Sequence, residues 1–421
     1  MNGRVRIVRG RVLSFRDDPR LMSERAHRLI EDGAVRIENG EIVAVGEAGA
    51  ILGDAPPDAA IDDCSGKLVM PGFIDAHIHY PQTRVIGSYG AQLLDWLHKY
   101  TFVEEQKFAD PRHCEQVARF FLDELFRQGT TTACVYCTIH PESVDAFFAE
   151  SERRGARMIA GKAMMDRNAP AALTDSPQRG YDESKALMAR WRSRGRLDYA
   201  ITPRFAVTSS ETQLEAAGAL ARECPRAYVQ THLSENFAEI AFVKRQFPWA
   251  KTYLDVYARY GLLGPRSIFG HCIHLEDSEV DALANSSSIA AFCPTSNLFL
   301  GSGLFDKKRL DEARVRVALA TAAEGYKVLQ MSGLSWPATQ AFYQMTFGNA
   351  RALSLQDRVG AIEPGREADL VVLDAHATPA MAHRMESHEG DLEEELFVIM
   401  TMGDDRAVRE TYVAGNAVKG V

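Results

Sequence analysis

Short apolar runs alternate with longer stretches of helical periodicity through the middle of the chain, between about residues 70 and 360. Strands that alternate with helices in this way form a parallel sheet or barrel. Eight strand–helix repeats in about 290 residues match the size of a (β/α)8 barrel. The predicted fold class is therefore α/β, a TIM-like (β/α)8 barrel. The eight predicted strands are Leu68–His79, Thr130–Thr138, Arg157–Met165, Asp198–Val207, Ala227–Leu233, Ser267–Cys272, Ser288–Cys293 and Val315–Ala320.

Strand patterns also occur at both ends of the chain. Ala34 to Glu47 reads as a hairpin with Asn39-Gly40 at its turn, a dipeptide that tolerates positive φ at both central positions. Near the other end, Ala368 to Asp374 reads as a buried strand, and Glu410 to Lys419 as a second hairpin that turns at Gly415-Asn416. Both ends are therefore predicted to be β structure.

Neither end alone has enough residues to bury a sizeable core. We therefore predict one small β-sandwich domain built from residues 1–68 and 361–421. The barrel, residues 69–360, is then inserted between the two parts. We expect no membrane segment, because no apolar run reaches the roughly 18 residues that a spanning helix needs.

Composition limits which partners the protein can bind and which cellular compartment suits it. The chain has 421 residues with 48 basic and 57 acidic side chains, a net charge of −9. This balance argues against nucleic acid as a partner, which requires a basic surface. The seven cysteines are an odd number scattered singly, which favours thiols in a reducing compartment over a disulfide framework. We expect a cytoplasmic protein without a signal peptide.

Histidines stand where three of the predicted strands end. His77 and His79 end the first barrel strand and, two residues apart, lie on one face of it. His232 ends the fifth strand and His271 the sixth. Barrel active sites lie at the carboxyl ends of the strands, and imidazole nitrogens suit zinc or iron. We therefore expect these four histidines to share one metal ion; for the first pair alone, two unrelated histidines would explain the spacing equally well.

Two residues near these strand ends need separate interpretation. Glu235 follows His232 by three residues, so it can stand beside the metal and carry protons as a catalytic group. The alternative for Glu235 is a carboxylate at a helix N-terminus. His274 follows His271 by three residues, which reverses the face in an extended strand. We therefore favour His271 as the ligand and place His274 in the following loop.

Longer motifs surround these residues: HYPQT (79–83), LLDWLHKYTFVEE (93–105) and CPTSNLFLGSGLFD (293–306). With them, nearly the whole chain resembles the guanine deaminase family of the amidohydrolase superfamily. The resemblance implies hydrolysis of guanine to xanthine and ammonia in a homodimer. It also implies one zinc ion per chain, with iron as an alternative, held by an aspartate after strand eight and four histidines, namely His77, His79, His232 and His271.

The resemblance also assigns roles. Zinc would lower the pKa of a bound water towards 7, His271 would orient the attacking hydroxide, and Glu235 would pass a proton to the ring and the leaving amine. The residues at the family's guanine-binding positions are His79, Gln82, Arg204, Phe205, His232 and Glu235.

The chemistry of three of these side chains fits guanine independently. Guanine offers O6 as an acceptor and N1–H as a donor, and the carboxamide of Gln82 can form hydrogen bonds with both. The guanidinium of Arg204 can donate to O6 or a ring nitrogen, and Phe205 can pack against the purine. For Arg204, a surface ion pair is the alternative.

The chain departs from the family after the eighth strand. The family reads roughly Gly-Thr-Asp-x-Gly-x-Gly-Thr there, whereas here Thr321 is followed directly by Ala322-Ala323-Glu324. The metal-binding aspartate and a glycine-rich loop are therefore absent. The segment is either genuinely deleted or omitted from the sequence, and the codons for residues 315–330 decide between these. A genuine deletion is expected to reduce turnover sharply.

Two rival functions follow. One is another aminohydrolase of this superfamily, acting on a different purine, a pterin or a triazine. The other is a metal-impaired pseudoenzyme that binds ligands through an intact barrel. Release of ammonia from a panel of heterocycles, together with metal analysis and guanine binding, distinguishes the three.

Overall fold

A computed structural model describes residues 5–90 and 92–420. The strands of this described part, labelled β1 to β16 in chain order, are Arg6–Phe15, His27–Glu38, Glu41–Glu47, Ala60–Pro71, Phe73–His79, Thr130–Tyr136, Arg157–Gly161, Ala163–Met164, Asp198–Pro203, Tyr228–Leu233, Ser267–His271, Ile289–Phe292, Arg316–Leu319, Leu370–Leu373, Val408–Val413 and Asn416–Ala417.

The α-helices of the same residues are labelled α1 to α18 in chain order. They are Pro19–Met22, Ala48–Gly53, Leu93–Trp96, Phe102–Glu105, Pro111–Arg127, Pro141–Arg153, Pro177–Trp191, Glu211–Glu223, Phe237–Gln246, Tyr253–Arg259, Asp277–Ser286, Pro294–Phe299, Lys307–Glu312, Ala322–Met331, Ala338–Tyr343, Asn349–Ala352, Pro379–Met385 and Leu392–Met402.

Strands from the two ends of the chain form one seven-stranded sheet in the order β16-β15-β14-β4-β1-β2-β3. Successive residues of β1 face opposite sides of it. Val8 belongs to a buried cluster with Val35, Val69 and Leu370, whereas Ile7 packs with Ala34 and Ala48. Burial on both faces explains why these terminal segments are rich in aliphatic residues. The prediction that both ends contribute to one β structure is confirmed.

The other sheet follows the order β13-β12-β11-β10-β9-β7-β6-β5, with β8 paired to β9. The pairings from β9 through β13 are parallel. Every residue of β11 and β12 is buried, as expected for parallel strands that are covered on both faces. The result is a nearly closed parallel barrel of eight principal strands, which confirms the predicted (β/α)8 fold class.

The chain divides into two compact units. One comprises residues 1–75, 122–132 and 335–421, and the other comprises residues 76–121 and 133–334. The domain boundaries predicted above, at residues 68/69 and 360/361, stay predictions. Among the described residues, no helix combines the length and low polarity that crossing a bilayer requires. The seven cysteines are thiols and form no disulfide with one another.

The structure corrects two local predictions. The last hairpin turns at Ala414-Gly415 rather than at Gly415-Asn416, because Val413 pairs with Asn416 and both turn residues have positive φ, 46° and 74°. The predicted strand Leu68–His79 is two strands, β4 and β5, separated at Gly72. A Cβ on Gly72 would lie 2.3 Å from Oγ1 of Thr131, so only glycine fits at this junction.

Gly161, the last residue of β7, provides a test of the barrel packing. A Cβ there would lie 1.7 Å from the backbone oxygen of Ala200, and a backbone atom cannot move aside cheaply. We expect Gly161→Ala to lower the free energy of unfolding by about 1–3 kcal/mol, the usual cost of overpacking. Urea denaturation followed by circular dichroism measures this change.

Gly49→Ala is the matched control, because a Cβ on Gly49 meets nothing within 4 Å. It lies in α2, where alanine is the better helix former, so we expect a neutral effect or a gain of up to about 1 kcal/mol. Equal stability of the two variants would contradict the packing argument.

Candidate active site

Four imidazoles converge at the carboxyl ends of the barrel strands. The His77 ring lies 5.3 Å from that of His79, 4.8 Å from that of His232 and 5.2 Å from that of His271, between ring centroids. His232 and His271 stack with centroids 5.4 Å apart. The strands bring these residues together because β10 and β11 are parallel neighbours, with His232 opposite Gly270.

Gly270 makes room for the central imidazole. A Cβ at this position would lie 2.4 Å from Cε1 of His77, closer than any real contact allows. The group that requires glycine at this position is therefore the side chain of His77. Because Gly270 of β11 has no side chain, the ring of His77 from β5 can reach the centre of the histidine cluster.

The nitrogens of three histidines fit a metal ion. One ring nitrogen from each of His77, His79 and His232 lies within 4.8 Å of the other two, and Nε2 of His79 is 3.1 Å from Nε2 of His232. Nδ1–H of His232 donates to the backbone oxygen of Arg204 at 2.6 Å, which leaves Nε2 with its lone pair. Such backbone acceptors orient metal-binding histidines. The donor set thus suits zinc or a similar divalent cation.

Burial lowers the pKa of His77, His79, His232 and His271, most strongly for the first three. Desolvation is the largest cause in each case, because the charged imidazolium loses its water. Neighbouring imidazoles lower the pKa of the first three further. The neutral form that results is the one that ligates metals.

His271 ends β11 in an unusual backbone conformation. Its φ is 71° and that of Cys272 is 50°, both in the left-handed region that non-glycine residues seldom adopt. Nδ1–H of His271 donates to Oδ1 of Asn297 at 2.8 Å, and Nε2 faces Oε2 of Glu235 at 3.3 Å. His274 lies beyond the strand, and its Nε2–H donates to the backbone oxygen of Ser302 at 2.7 Å. The sequence-based choice of His271 over His274 agrees with this geometry.

Glu235 occupies the position between strand and helix that its spacing predicts. It is 2% exposed, and Ser302 Oγ donates to its Oε1 at 3.2 Å. The residue after it, Asn236, caps α9, so Glu235 stands outside the helix and is not its capping carboxylate. Burial raises the pKa of Glu235 to about 7, against a lowering effect of the Ser302 hydrogen bond. A carboxyl group with this pKa can both take up and release a proton near neutral pH.

The predicted substrate-binding residues have different surroundings. Arg204 is buried, and its Nη1 donates to both oxygens of Glu105 at 2.9 and 2.6 Å. The alternative of a surface ion pair is therefore wrong, since the pair is buried. The Phe205 ring lies 6.1 Å from the His232 ring. Gln82 is half-buried in the 3-10 turn Tyr80–Val85 that follows His79 directly.

Comparison with known proteins places the chain in a family. The model of the amidohydrolase family matches residues 68–418. The chain belongs to the amidohydrolase family. Guanine deaminase of Escherichia coli strain K12 is 47% identical over 93% of this chain and 92% of its own length. Within the family, the chain therefore belongs with the guanine deaminases.

Solved structures of relatives agree with this assignment. The structure of E. coli guanine deaminase has a TM-score of 0.95 and 45% identity, covering 98% of this chain and 99% of that one. Guanine deaminase from C. acetobutylicum, solved with guanine bound in its active site, has a TM-score of 0.85 and 26% identity with the same coverage. The amidohydrolase fold is thus shared along essentially the whole chain.

At the end of strand eight this amidohydrolase has no acidic ligand. Two residues, Ala320 and Thr321, connect β13 to α14. The nearest following acid, Glu324, lies in the first turn of α14 and accepts a 2.7 Å bond from Nζ of Lys327. Asp311, which precedes the strand, pairs with Lys307 at 2.6 Å. Both acids are therefore paired with lysines, one before and one after the strand.

Sequence reasoning missed several residues that the fold brings to this site. Asn297 orients His271, Ser302 contacts Glu235, Glu105 pairs with Arg204, and Tyr136 stacks on His79 with ring centroids 4.3 Å apart. A further missed residue is Cys293, which forms a second close group with His77 and His271. Asn297, Ser302 and Cys293 lie inside the CPTSNLFLGSGLFD motif. The length of this motif was the signal that could have identified its residues as part of the site.

Gly270→Ala tests whether the space at β11 supports metal binding. We expect zinc affinity to fall by about 10–100-fold, the usual cost of disturbing the support of a metal ligand, because the His77 ring must move from its position. Competition with a chromophoric chelator measures the affinity. Gly264→Ala is the control, since its Cβ would meet nothing nearer than Ser267 Oγ at 3.9 Å. Unchanged zinc affinity in the first variant would refute the role given to Gly270.

Proposed function

We propose that this amidohydrolase converts guanine and water to xanthine and ammonia, using one zinc ion held at the carboxyl end of the barrel. The observation that carries the proposal is the convergence of His77, His79 and His232, whose ligand nitrogens lie within 4.8 Å of one another. The 47% identity to E. coli guanine deaminase selects guanine among the possible rings.

The metal would be held by His77, His79 and His232, with His271 as the fourth imidazole in reach. The chemistry that zinc supplies in such a centre is a water whose pKa is lowered to about 7, so that hydroxide is available at neutral pH. The hydrogen bond from His232 to the backbone of Arg204 leaves its other nitrogen available, so that this nitrogen could bind the ion.

Guanine would be recognised by hydrogen bonds and by packing. Gln82 presents a donor and an acceptor within three residues of His79, which suits N1–H and O6 of the base. Arg204 is fixed by Glu105 at 2.6 Å and can direct further N–H groups to an acceptor of the ring. Phe205 offers an apolar surface for the purine. The relative from C. acetobutylicum binds guanine in its active site, which supports this choice of ligand.

Glu235 would carry the proton. Its carboxyl group lies 3.3 Å from Nε2 of His271 and accepts from Ser302, so it is held at the centre. It takes one proton from the attacking water and passes it to the guanine ring, then takes the remaining proton from the new hydroxyl group at C2 and gives it to the leaving amine. A C–O bond forms at C2 of the purine, the C2–N bond to the exocyclic amine breaks, and ammonia departs.

A second function is favoured by the end of strand eight. The residues from Arg316 to Ala323 include no carboxylate, and neither group of three possible ligands contains one. A centre without this anionic group binds metal and purine but activates water less well. Binding of guanine without release of ammonia would support this ligand-binding alternative.

We further propose that the protein is a cytoplasmic homodimer. The cysteines support the compartment, because seven thiols without a disulfide suit a reducing environment. The family resemblance supports the dimer, and sedimentation of the purified protein measures its mass.

The zinc-loaded protein is expected to release ammonia from guanine and not from adenine, a pterin or a triazine. We also expect a turnover number well below that of the E. coli relative, because strand eight lacks an acid that could assist the attacking water. Coupled ammonia assays of both proteins under the same conditions measure the difference. Equal turnover would show that the acid is dispensable, and turnover of another ring with guanine inert would reject the substrate.

Glu235→Gln is expected to lower kcat by about 10²–10⁴-fold, the usual contribution of a positioned acid–base group. Zinc content should stay at the level of the unmodified protein, since the imidazoles are untouched. Glu324→Gln is the control: it removes the nearest acid after strand eight, which is paired with Lys327, and should leave kcat unchanged. Loss of activity in the control, or retention in the first variant, would contradict the assignment.

A further inference from the structure

A thiol lies beside the imidazoles at the barrel centre. One ligand atom from each of His77, His271 and Cys293 lies within 4.8 Å of the other two, and all three residues are buried. Cys293 directly follows β12, the parallel neighbour of β11. Its side chain therefore stands at the same edge of the sheet as His271, where the strands deliver the other candidate ligands.

Burial alone does not explain why Cys293 lies beside these two histidines. Cys272 is also a buried thiol, and it follows His271 directly, yet it belongs to neither group of possible ligands. Each thiol donates to a backbone oxygen at 3.3 Å, Cys272 to that of Phe269 and Cys293 to that of Ala291, so this bond does not distinguish them. Two buried cysteines thus lie close to the same histidine in the fold, and one of them is placed with two imidazoles around a common point.

The chemistry of the site favours a sulfur ligand. The four imidazoles are neutral donors, and the short connection from β13 to α14 contributes Ala320 and Thr321 but no anionic group. A divalent cation held by neutral nitrogens alone keeps its full charge in a buried site, which is costly. Zinc binds thiolate sulfur and imidazole nitrogen together in many sites, so the thiolate would supply the ion with negative charge that the imidazoles and the end of strand eight lack.

We propose that Cys293 is a metal ligand of this protein, binding the ion as a thiolate together with His77 and His271. On binding, the S–H bond of Cys293 breaks, its proton passes to solvent, and a sulfur lone pair forms the bond to the ion. His77 is the residue common to this group and to the group with His79 and His232. The inference rests on the metal centre of the proposed function and specifies its ligand chemistry.

X-ray absorption at the zinc edge of the zinc-loaded full chain tests the proposal. We expect a sulfur scatterer at about 2.3 Å in addition to nitrogen at about 2.0–2.1 Å. Cys293→Ser should remove the sulfur and weaken zinc binding by at least about 10–100-fold, the cost of losing even an outer partner of a site. Cys272→Ser is the matched control and should keep both the sulfur and the affinity.

Cobalt(II) provides a second readout that does not depend on activity. The cobalt-loaded protein should have a near-ultraviolet thiolate-to-metal charge-transfer band that is retained in Cys272→Ser and lost in Cys293→Ser. A nitrogen-only zinc shell in the unmodified protein would overturn the proposal even if the Cys293 variant failed to fold. Sulfur that persists in a folded Cys293→Ser protein would overturn it as well.

The outcomes separate this inference from the proposed function. Sulfur bound to zinc without ammonia release from guanine would support the ligand and reject the activity. Ammonia release with a nitrogen-only shell would support the activity and reject the sulfur ligand. A protein that binds no zinc would overturn both.

Discussion

Four imidazoles packed in one buried place impose the main physical constraint on this molecule. The rings of His77, His79, His232 and His271 lie so close that they cannot carry charge together, and burial already lowers the pKa of each. Nε2 of His79 and Nε2 of His232 lie 3.1 Å apart, within hydrogen-bond distance of each other. A bound divalent cation would supply the positive charge that the rings cannot carry together. The barrel holds the rings through the strand ends that carry them, the space at Gly270, and hydrogen bonds from His232 to the backbone of Arg204 and from His271 to Asn297.

The fold class and the four clustered histidines could be predicted from the sequence, because both depend on local patterns. Apolar runs of strand length locate the barrel strands, and a histidine at the end of such a run must lie at the barrel mouth. The turn of the last hairpin was misplaced by one residue because Ala414 adopts a positive φ that alanine rarely takes. The break between β4 and β5 was missed because apolar residues stand on both sides of Gly72.

The partners of the site residues were harder to predict, because they come from distant parts of the chain. Glu105 meets Arg204 across 99 residues, and Ser302 meets Glu235 across 67. Nothing in the local pattern of either partner identifies the other. The same applies to Cys293, which looks like an ordinary small apolar residue in the sequence and becomes chemically distinctive only when β12 pairs beside β11. Long-range pairing thus decides the chemistry that local periodicity leaves open.

In the proposed binding of guanine, the buried pair of Arg204 and Glu105 would disfavour purines that carry a phosphate. The positive charge of the guanidinium is balanced within the protein by a carboxylate at 2.6 Å, so an incoming phosphate would find no net attraction there. A nucleotide would have to give up the hydration of its anionic group without compensation. The uncharged base gives up far less. The ion pair would therefore discriminate between a nucleobase and its phosphorylated derivatives through the cost of desolvation, while the fixed guanidinium could still donate directional hydrogen bonds to the ring.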